Sequence, residues 1–220
     1  REALAERGYE GLTIRELAQR SGVSVPTLYN QFGGKDALIR AAVEEHFRGI
    51  LAEIEPHGAH SGLDRIQQLV TRTIGGITNQ PRYHRALLEA FARTPETAPL
   101  HTNLAAELVS YLRQALQLMS AEGQLAAWIV PEHLATQLAT ACIGAAMAWA
   151  ARGVGDSEVR AFAEYSVGLL LSGACSEAAR SEIQSYTNRA QAELTVLVPS
   201  NLPAPSKPGP ARSRTARSRG

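Results

Sequence analysis

The chain is poor in the features that mark secreted, metal-bound or membrane-spanning proteins. Its 220 residues include two cysteines, Cys142 and Cys175, far apart and without metal-ligand spacing. That excludes a disulfide scaffold and predicts a reducing, cytoplasmic setting. No signal peptide opens the chain. Arg1 already lies inside a helical pattern, "REALAERG", so the natural start is expected further upstream. The most apolar stretch, Leu134 to Trp149, is interrupted by Thr136, Gln137 and Thr140 and is too short to predict a membrane span. Aromatics make up only 5% of the residues, and period-two alternation is confined to a marginal "LTVLV" at Leu194–Val198. A β-fold is therefore not expected.

Catalytic and cofactor signatures are also missing. No nucleophile elbow, zinc-protease pair or dinucleotide fingerprint occurs. "GGK" at Gly33–Lys35 looks like the end of a phosphate-binding loop, but Tyr29 stands where its first glycine belongs and Asp36 replaces Ser/Thr. His57 and His60 in "HGAH" have no cysteine nearby and read as a solvated loop; His84, His101 and His133 are scattered. No catalytic residue, metal or cofactor is expected.

Abundant alanine and leucine, within a 45% apolar composition, point to helices and a substantial core. The net charge of +1 conceals an uneven distribution. The last twenty residues carry Lys207, Arg212, Arg214, Arg217 and Arg219 and no acid; removing those five cations from 22 leaves 17 against 21 acids, about −4. Any case for nucleic-acid binding must rest on a local site. The Pro-, Ser- and Arg-rich tail from Pro199 reads as disordered and adds only sequence-independent attraction.

Helical patterns fill the rest. Gly8 stops a first helix containing Ala3 and Leu4. Thr13 to Glu16 form a capping box, Ile14, Leu17 and Ala18 mark an apolar face, and Gly22 closes that helix. Ser24 caps the next, Pro26 sits in its first turn, and Leu28 and Phe32 are its buried side. A longer helix starts at Lys35, with Leu38, Ile39, Ala42, Val43 and Phe47 inward. After the loop Glu55–Gly62, helices are expected over Leu63–Thr78, Arg82–Arg93, Thr97–Ala121, Pro131–Arg152 and Ser157–Ser172, with a weaker one over Ser176–Leu194.

"GVSVPTLYNQFGGK", Gly22 to Lys35, is the informative stretch. Two short helices joined near Gly22–Ser24 suggest a helix-turn-helix, with Ala18 allowing close crossing and Val23 and Leu28 plugging the joint. The outward face carries Ser24, Val25, Thr27, Tyr29, Asn30 and Gln31, flanked by Arg15 and Lys35. Asn and Gln match adenine edges, Thr and Val match thymine methyls, and Tyr, Thr and Lys match phosphates. The bland alternative is a helical hairpin in which Tyr29 is half-buried packing.

Residues Gly8 to Phe47 resemble the DNA-binding domain of TetR-family transcriptional regulators. The likeness lies in the G-x-x-x-x-T-x-x-x-(I/L)-A run, the S-G-V-S turn, and the L-Y-x-x-F and K-x-x-L pairs. It implies an all-α protein with a three-helix DNA-binding domain at 1–47, a helical effector-binding and dimerisation domain at 48–198, and a basic tail at 199–220. It places Arg15, Ser24, Val25, Pro26, Thr27, Tyr29, Asn30 and Lys35 at DNA-contacting positions. The basic arm that many members carry before the first helix is absent from this sequence.

The resemblance further implies a homodimer on palindromic double-stranded operator DNA, commonly a repressor, released by a small apolar or amphipathic effector. Alternatives are a helical enzyme or carrier, or a regulator that answers to a protein partner or activates. The small residues Ala139, Ala141, Gly144, Ala145 and Ala148, and the "VGLLLSGA" run at Val167–Ala174, serve either intrachain packing or a twofold four-helix bundle. Phe91, Tyr111, Trp128, Met147 and Trp149 are candidates to line an effector pocket, or plain core; Tyr111 is the candidate to orient a ligand's polar end.

Overall fold

The computed structural model describes residues 2–54, 61–93 and 103–197. These form helices α1 (Glu2–Arg7), α2 (Ile14–Ser21), α3 (Val25–Phe32), α4 (Lys35–Ile54) and α5 (Gly62–Asn79). They continue with α6 (Pro81–Arg93), α7 (Asn103–Ala121), α8 (Pro131–Ala150), α9 (Val159–Ala174) and α10 (Glu177–Leu197). The described residues contain no strand, only an isolated bridge between Leu125 and Cys175. None of their helices is long and apolar enough to cross a membrane. His57, His60, Val198 and the tail lie outside the described residues.

Most expected helices are present with ends shifted by a few residues. The marginal strand is the clear correction: α10 continues through Leu197, and the Thr195 hydroxyl donates to the Gln191 carbonyl at 2.9 Å. A lone strand would leave its backbone groups without a ladder, whereas an extended helix satisfies them internally.

Two cores organise the chain. The smaller combines Ala3, Leu4, Leu12 and Ile39 with Tyr83, Ala86 and Leu87 of α6. Four short N-terminal segments bury too little apolar surface alone, so α6 completes their core from beyond the expected boundary at residue 47. Helix α4 crosses that same position without a break. The larger core joins Ile54 to α5, α7, α8, α9 and α10.

Close approach inside the larger core uses glycine. A Cβ at Gly168 would lie 2.5 Å from Thr187 Oγ1 and 3.2 Å from its Cα, so α9 and α10 touch nearly backbone to backbone. The inward half of "VGLLLSGA", Val167, Gly168, Leu171 and Ala174, therefore packs within the chain, while Leu169, Ser172 and Gly173 face outward. The α8 small residues split likewise: Ala139 and Ala145 are buried, Ala141 and Ala148 half-buried, and Gly144 exposed. The buried Glu164 carboxylate is held by Arg160 at 3.1 and 3.2 Å, with the Thr71 hydroxyl at 3.4 Å. Cys142 and Cys175 are free and buried, and desolvation pushes the Cys142 thiol up to about 12.

Helix α6 is fastened to the end of α8 by a second device, buried at Trp149 and open to solvent at Asp156. Trp149 is fully buried, and its indole N–H donates to Asp156 Oδ1 at 2.7 Å. The Arg85 guanidinium lies 4.3 Å from the ring centroid, donates to the Trp149 carbonyl at 2.9 Å and pairs with Asp156. The indole bond and Arg85 hold the Asp156 carboxyl below the ordinary range. That contribution is present above the ordinary aspartate pKa and lost as pH falls through the lowered one. Asp156→Ala should strip the indole of its acceptor and lower stability by about 1–3 kcal/mol. Urea titration at neutral and acidic pH checks this, and the difference between the two proteins should shrink in acid.

Candidate nucleic-acid interface

The α2–α3 pair is built by its caps. Thr13 Oγ1 accepts the Glu16 amide at 3.2 Å, the threonine half of the expected capping box. The Glu16 carboxylate turns to Arg7 at 2.9 Å, and Arg20 joins Glu6 at 2.7 Å, binding α1 to α2 with charge. Gly22 takes the left-handed conformation (φ 66°) and its amide reaches the Ala18 and Gln19 carbonyls. A side chain there would be strained, and this turn fixes the angle between the helices.

At the other side of the turn, Ser24 Oγ accepts the Thr27 amide at 3.2 Å and lies 2.7 Å from the Thr27 hydroxyl. Pro26 occupies the first turn, where it forfeits no helical bond. Gly33, left-handed at φ 80°, ends α3 by returning its amide to the Tyr29 carbonyl at 2.8 Å. Leu28 is the buried anchor of α3 and Phe32 is half-buried. Val23 departs from expectation: instead of plugging the joint it is 39% exposed, because the left-handed turn at Gly22 sends the chain outward and leaves Ala18 and Leu28 to close the contact.

What remains outward is nearly continuous. Ser24, Pro26, Thr27, Tyr29, Asn30 and Gln31 are exposed, Tyr29 by 51%, and Val25 is half-buried. No residue of α3 carries a charge. The Ser24 and Thr27 hydroxyls are partly engaged with each other, which turns the Thr27 methyl into its freer group. Arg15 is exposed on α2. Lys35 is half-buried, its Nζ 3.1 Å from the Tyr9 carbonyl and 4.0 Å from the Tyr9 ring centroid. Tyr9 in turn donates its hydroxyl to Asp36. Sequence reading finds Lys35 but misses Tyr9 and Asp36; the aromatic directly after the Gly8 stop was the available signal.

Of the expected effector residues, Tyr111 and Trp149 belong to the larger core, Met147 packs against it and Trp128 is exposed. Tyr111, nearly buried, lines a cleft of about 260 Å³ between α4 and α7 with Arg48, Leu51, Ala52, Ser110 and Gln114. Across it Arg48 faces Glu107 at 3.6 Å. Met147 is half-buried against the larger core, and Trp149 is locked by Asp156 and Arg85. Trp128 lies 73% exposed in the α7–α8 connection, and the Phe91 side chain is outside the described residues. The described residues contain no cluster of three or more His, Cys, Asp or Glu placed to hold a metal.

Comparison with known proteins agrees with this geometry. Residues 1–42 match the family described as bacterial regulatory proteins, tetR family. Over 172 residues the chain is 26% identical to the HTH-type transcriptional repressor KstR of Rhodococcus jostii (strain RHA1), covering 77% of this chain and 78% of that protein. A TetR transcription regulator from Haloarcula marismortui ATCC 43049 shares the fold with a TM-score of 0.64 at 18% identity, over 80% of this chain and 93% of the other. The transcriptional regulator FadR from Bacillus subtilis, solved in complex with stearoyl-CoA, gives a TM-score of 0.64 at 15% identity, over 78% and 94%.

Tyr29 is the most diagnostic side chain of the surface. Its ring and hydroxyl stand clear of the core, so Tyr29→Ala should leave helicity and thermal stability within about 0.5 kcal/mol of the parent. Loss of a phosphate-positioning contact should weaken DNA binding about equally for every sequence. Fluorescence anisotropy with circular dichroism as control reads both; unchanged affinity in a folded variant overturns the assignment.

Proposed function

We propose that this chain, whose N-terminal domain belongs to the tetR family of bacterial regulatory proteins, is a sequence-specific transcriptional regulator. It acts as a ligand-responsive repressor in the cytoplasm, binding a palindromic operator as a homodimer. The observation that carries this reading is α3, capped at both ends and offering Thr27, Tyr29, Asn30 and Gln31 uncharged to solvent. Such groups satisfy base edges by hydrogen bonding and methyl contact, while Arg15 and Lys35 flank them for phosphate. Arg15, Ser24, Val25, Pro26, Thr27, Tyr29, Asn30 and Lys35 form the DNA-contacting set, to which exposure adds Gln31. Selection of bound sites from random duplexes tests the proposal. An inverted repeat with half-site centres one helical turn apart is expected; no enrichment would overturn it.

The effector site is the cleft beside Tyr111. Its walls are α4, which leads to the reading head, and α7, which belongs to the larger core. Leu51 and Ala52 offer apolar contact and Arg48, Ser110 and Gln114 a polar rim, which suits an amphipathic small molecule. The stearoyl-CoA held by FadR is a molecule of that kind. A ligand entering between the two helices shifts α4, and DNA release requires tighter binding to the shifted form. Coupling of about 1–3 kcal/mol is typical of such linkage. Operator DNA should then weaken ligand binding by the same factor, about 5- to 150-fold. Calorimetry on free and operator-bound protein, with a ligand found by thermal shift, measures it; equal affinities would remove the switch.

A further inference from the structure

Lys35 and Asp36 open α4 with opposite charges side by side, and one residue far from them in sequence engages both. Lys35 Nζ donates to the Tyr9 carbonyl at 3.1 Å and lies 4.0 Å from the Tyr9 ring centroid. The Tyr9 hydroxyl donates to the Asp36 carboxylate. The cation therefore takes a carbonyl and a ring face, and the acid takes a hydroxyl, although each has an opposite charge as its neighbour. Asp36 is the sole acid from Leu17 through Val43, the stretch that contains the turn and the whole of α3.

Tyr9 is itself firmly mounted. It follows Gly8, left-handed at φ 65°, whose amide returns to the Leu4 carbonyl at 2.9 Å to end α1. The Tyr9 carbonyl also accepts the Leu12 amide at 3.3 Å, and its side chain packs, half-buried, against the small core. An ammonium held on such a mount loses little freedom when it meets a phosphate, whereas a four-carbon stem in open water loses much. Of its three N–H donors one goes to the carbonyl and the ring covers another side, which leaves a donor for a phosphate oxygen. A free carboxylate beside it would compete for that donor and repel the phosphate.

We propose that Tyr9 is a positioning residue for DNA binding: its ring and carbonyl hold the Lys35 ammonium ready for a backbone phosphate, and its hydroxyl keeps the Asp36 carboxylate from that ammonium. Tyr9 acts through Lys35 and reads no base. The inference rests on the DNA-binding reading above, with Lys35 as a phosphate contact, and adds the residue that makes this contact effective. Because phosphates carry no sequence information, the effect is the same on every duplex.

The test titrates the full chain against a random-sequence duplex of about 30 base pairs by fluorescence anisotropy, from about 50 to about 200 mM salt. Tyr9→Phe keeps the ring and its packing and removes only the hydroxyl, so its circular dichroism should match the parent. Its salt slope should be shallower by about one, making the parent's advantage about 3.5 times larger at the low end of that range than at the high end. Lys35→Met should show the same loss, and Tyr9→Phe should add nothing to it. Asp36→Asn in the Tyr9→Phe protein should restore the parent slope, a rescue that a packing role for Tyr9 would not produce. A Tyr9→Phe protein with the parent's affinity and slope overturns the inference. So does a loss that persists undiminished in Lys35→Met or resists Asp36→Asn. If Lys35→Met binds as the parent does, the phosphate contact is absent and the inference falls, while DNA binding by α3 stands. A parent chain that binds neither this duplex nor any selected from a random pool overturns the DNA-binding reading together with it.

Discussion

Helix α6 must belong to two cores at once, and the arrangement of the remaining helices follows from that constraint. Tyr83, Ala86 and Leu87 complete the small N-terminal core, whereas Leu88 enters the large one. Arg85, between them in sequence, reaches the Trp149 carbonyl and the Asp156 carboxylate where α8 ends. In thirteen residues one helix thus touches the body under the reading head and the end of α8. One helix supplies side chains to both cores, so the two halves are packed together rather than merely tethered.

Much of this was legible in the sequence because it is local. Caps at Thr13 and Ser24 and stops at Gly8, Gly22 and Gly33 act within one turn of chain, and each occurs as its residue type dictates. The exposed face of α3 was legible for the same reason, since the helix period alone decides which residues accompany buried Leu28. What depends on distant partners was not. Glu16 left its capping role for Arg7, Leu194–Leu197 stayed helical because α10 had nothing to pair with as a strand, and α6 packed into the N-terminal core from far along the chain. The burial of the candidate pocket residues was not legible for a related reason: aromatic identity cannot tell Trp149, sealed under Arg85, from Trp128, standing in water.

The site combines a neutral reading face with tightly managed charges around it. Arg7 and Arg20 are drawn away by Glu16 and Glu6, while Lys35 is steadied against the Tyr9 ring. Such a surface gains little from long-range attraction to DNA, and the acidic balance of the chain outside its tail reinforces this. Discrimination then depends on close contacts that a wrong base leaves unsatisfied, which is the more selective of the two sources of affinity.

Helix α4 has a mechanical consequence of its own. Its twenty residues make a beam about 30 Å long, with Ile54 seated in the large core at one end and Ile39 in the small core toward the other. Pivoting such a beam by about 4° at its Ile54 end carries the Lys35 end through about 2 Å. Two reading heads moving oppositely in a dimer would change their separation by about 4 Å, more than the 3.4 Å rise of one base pair along a strand. A side-chain-sized wedge at the pivot would thereby be converted into a shift of a whole base pair at the tip.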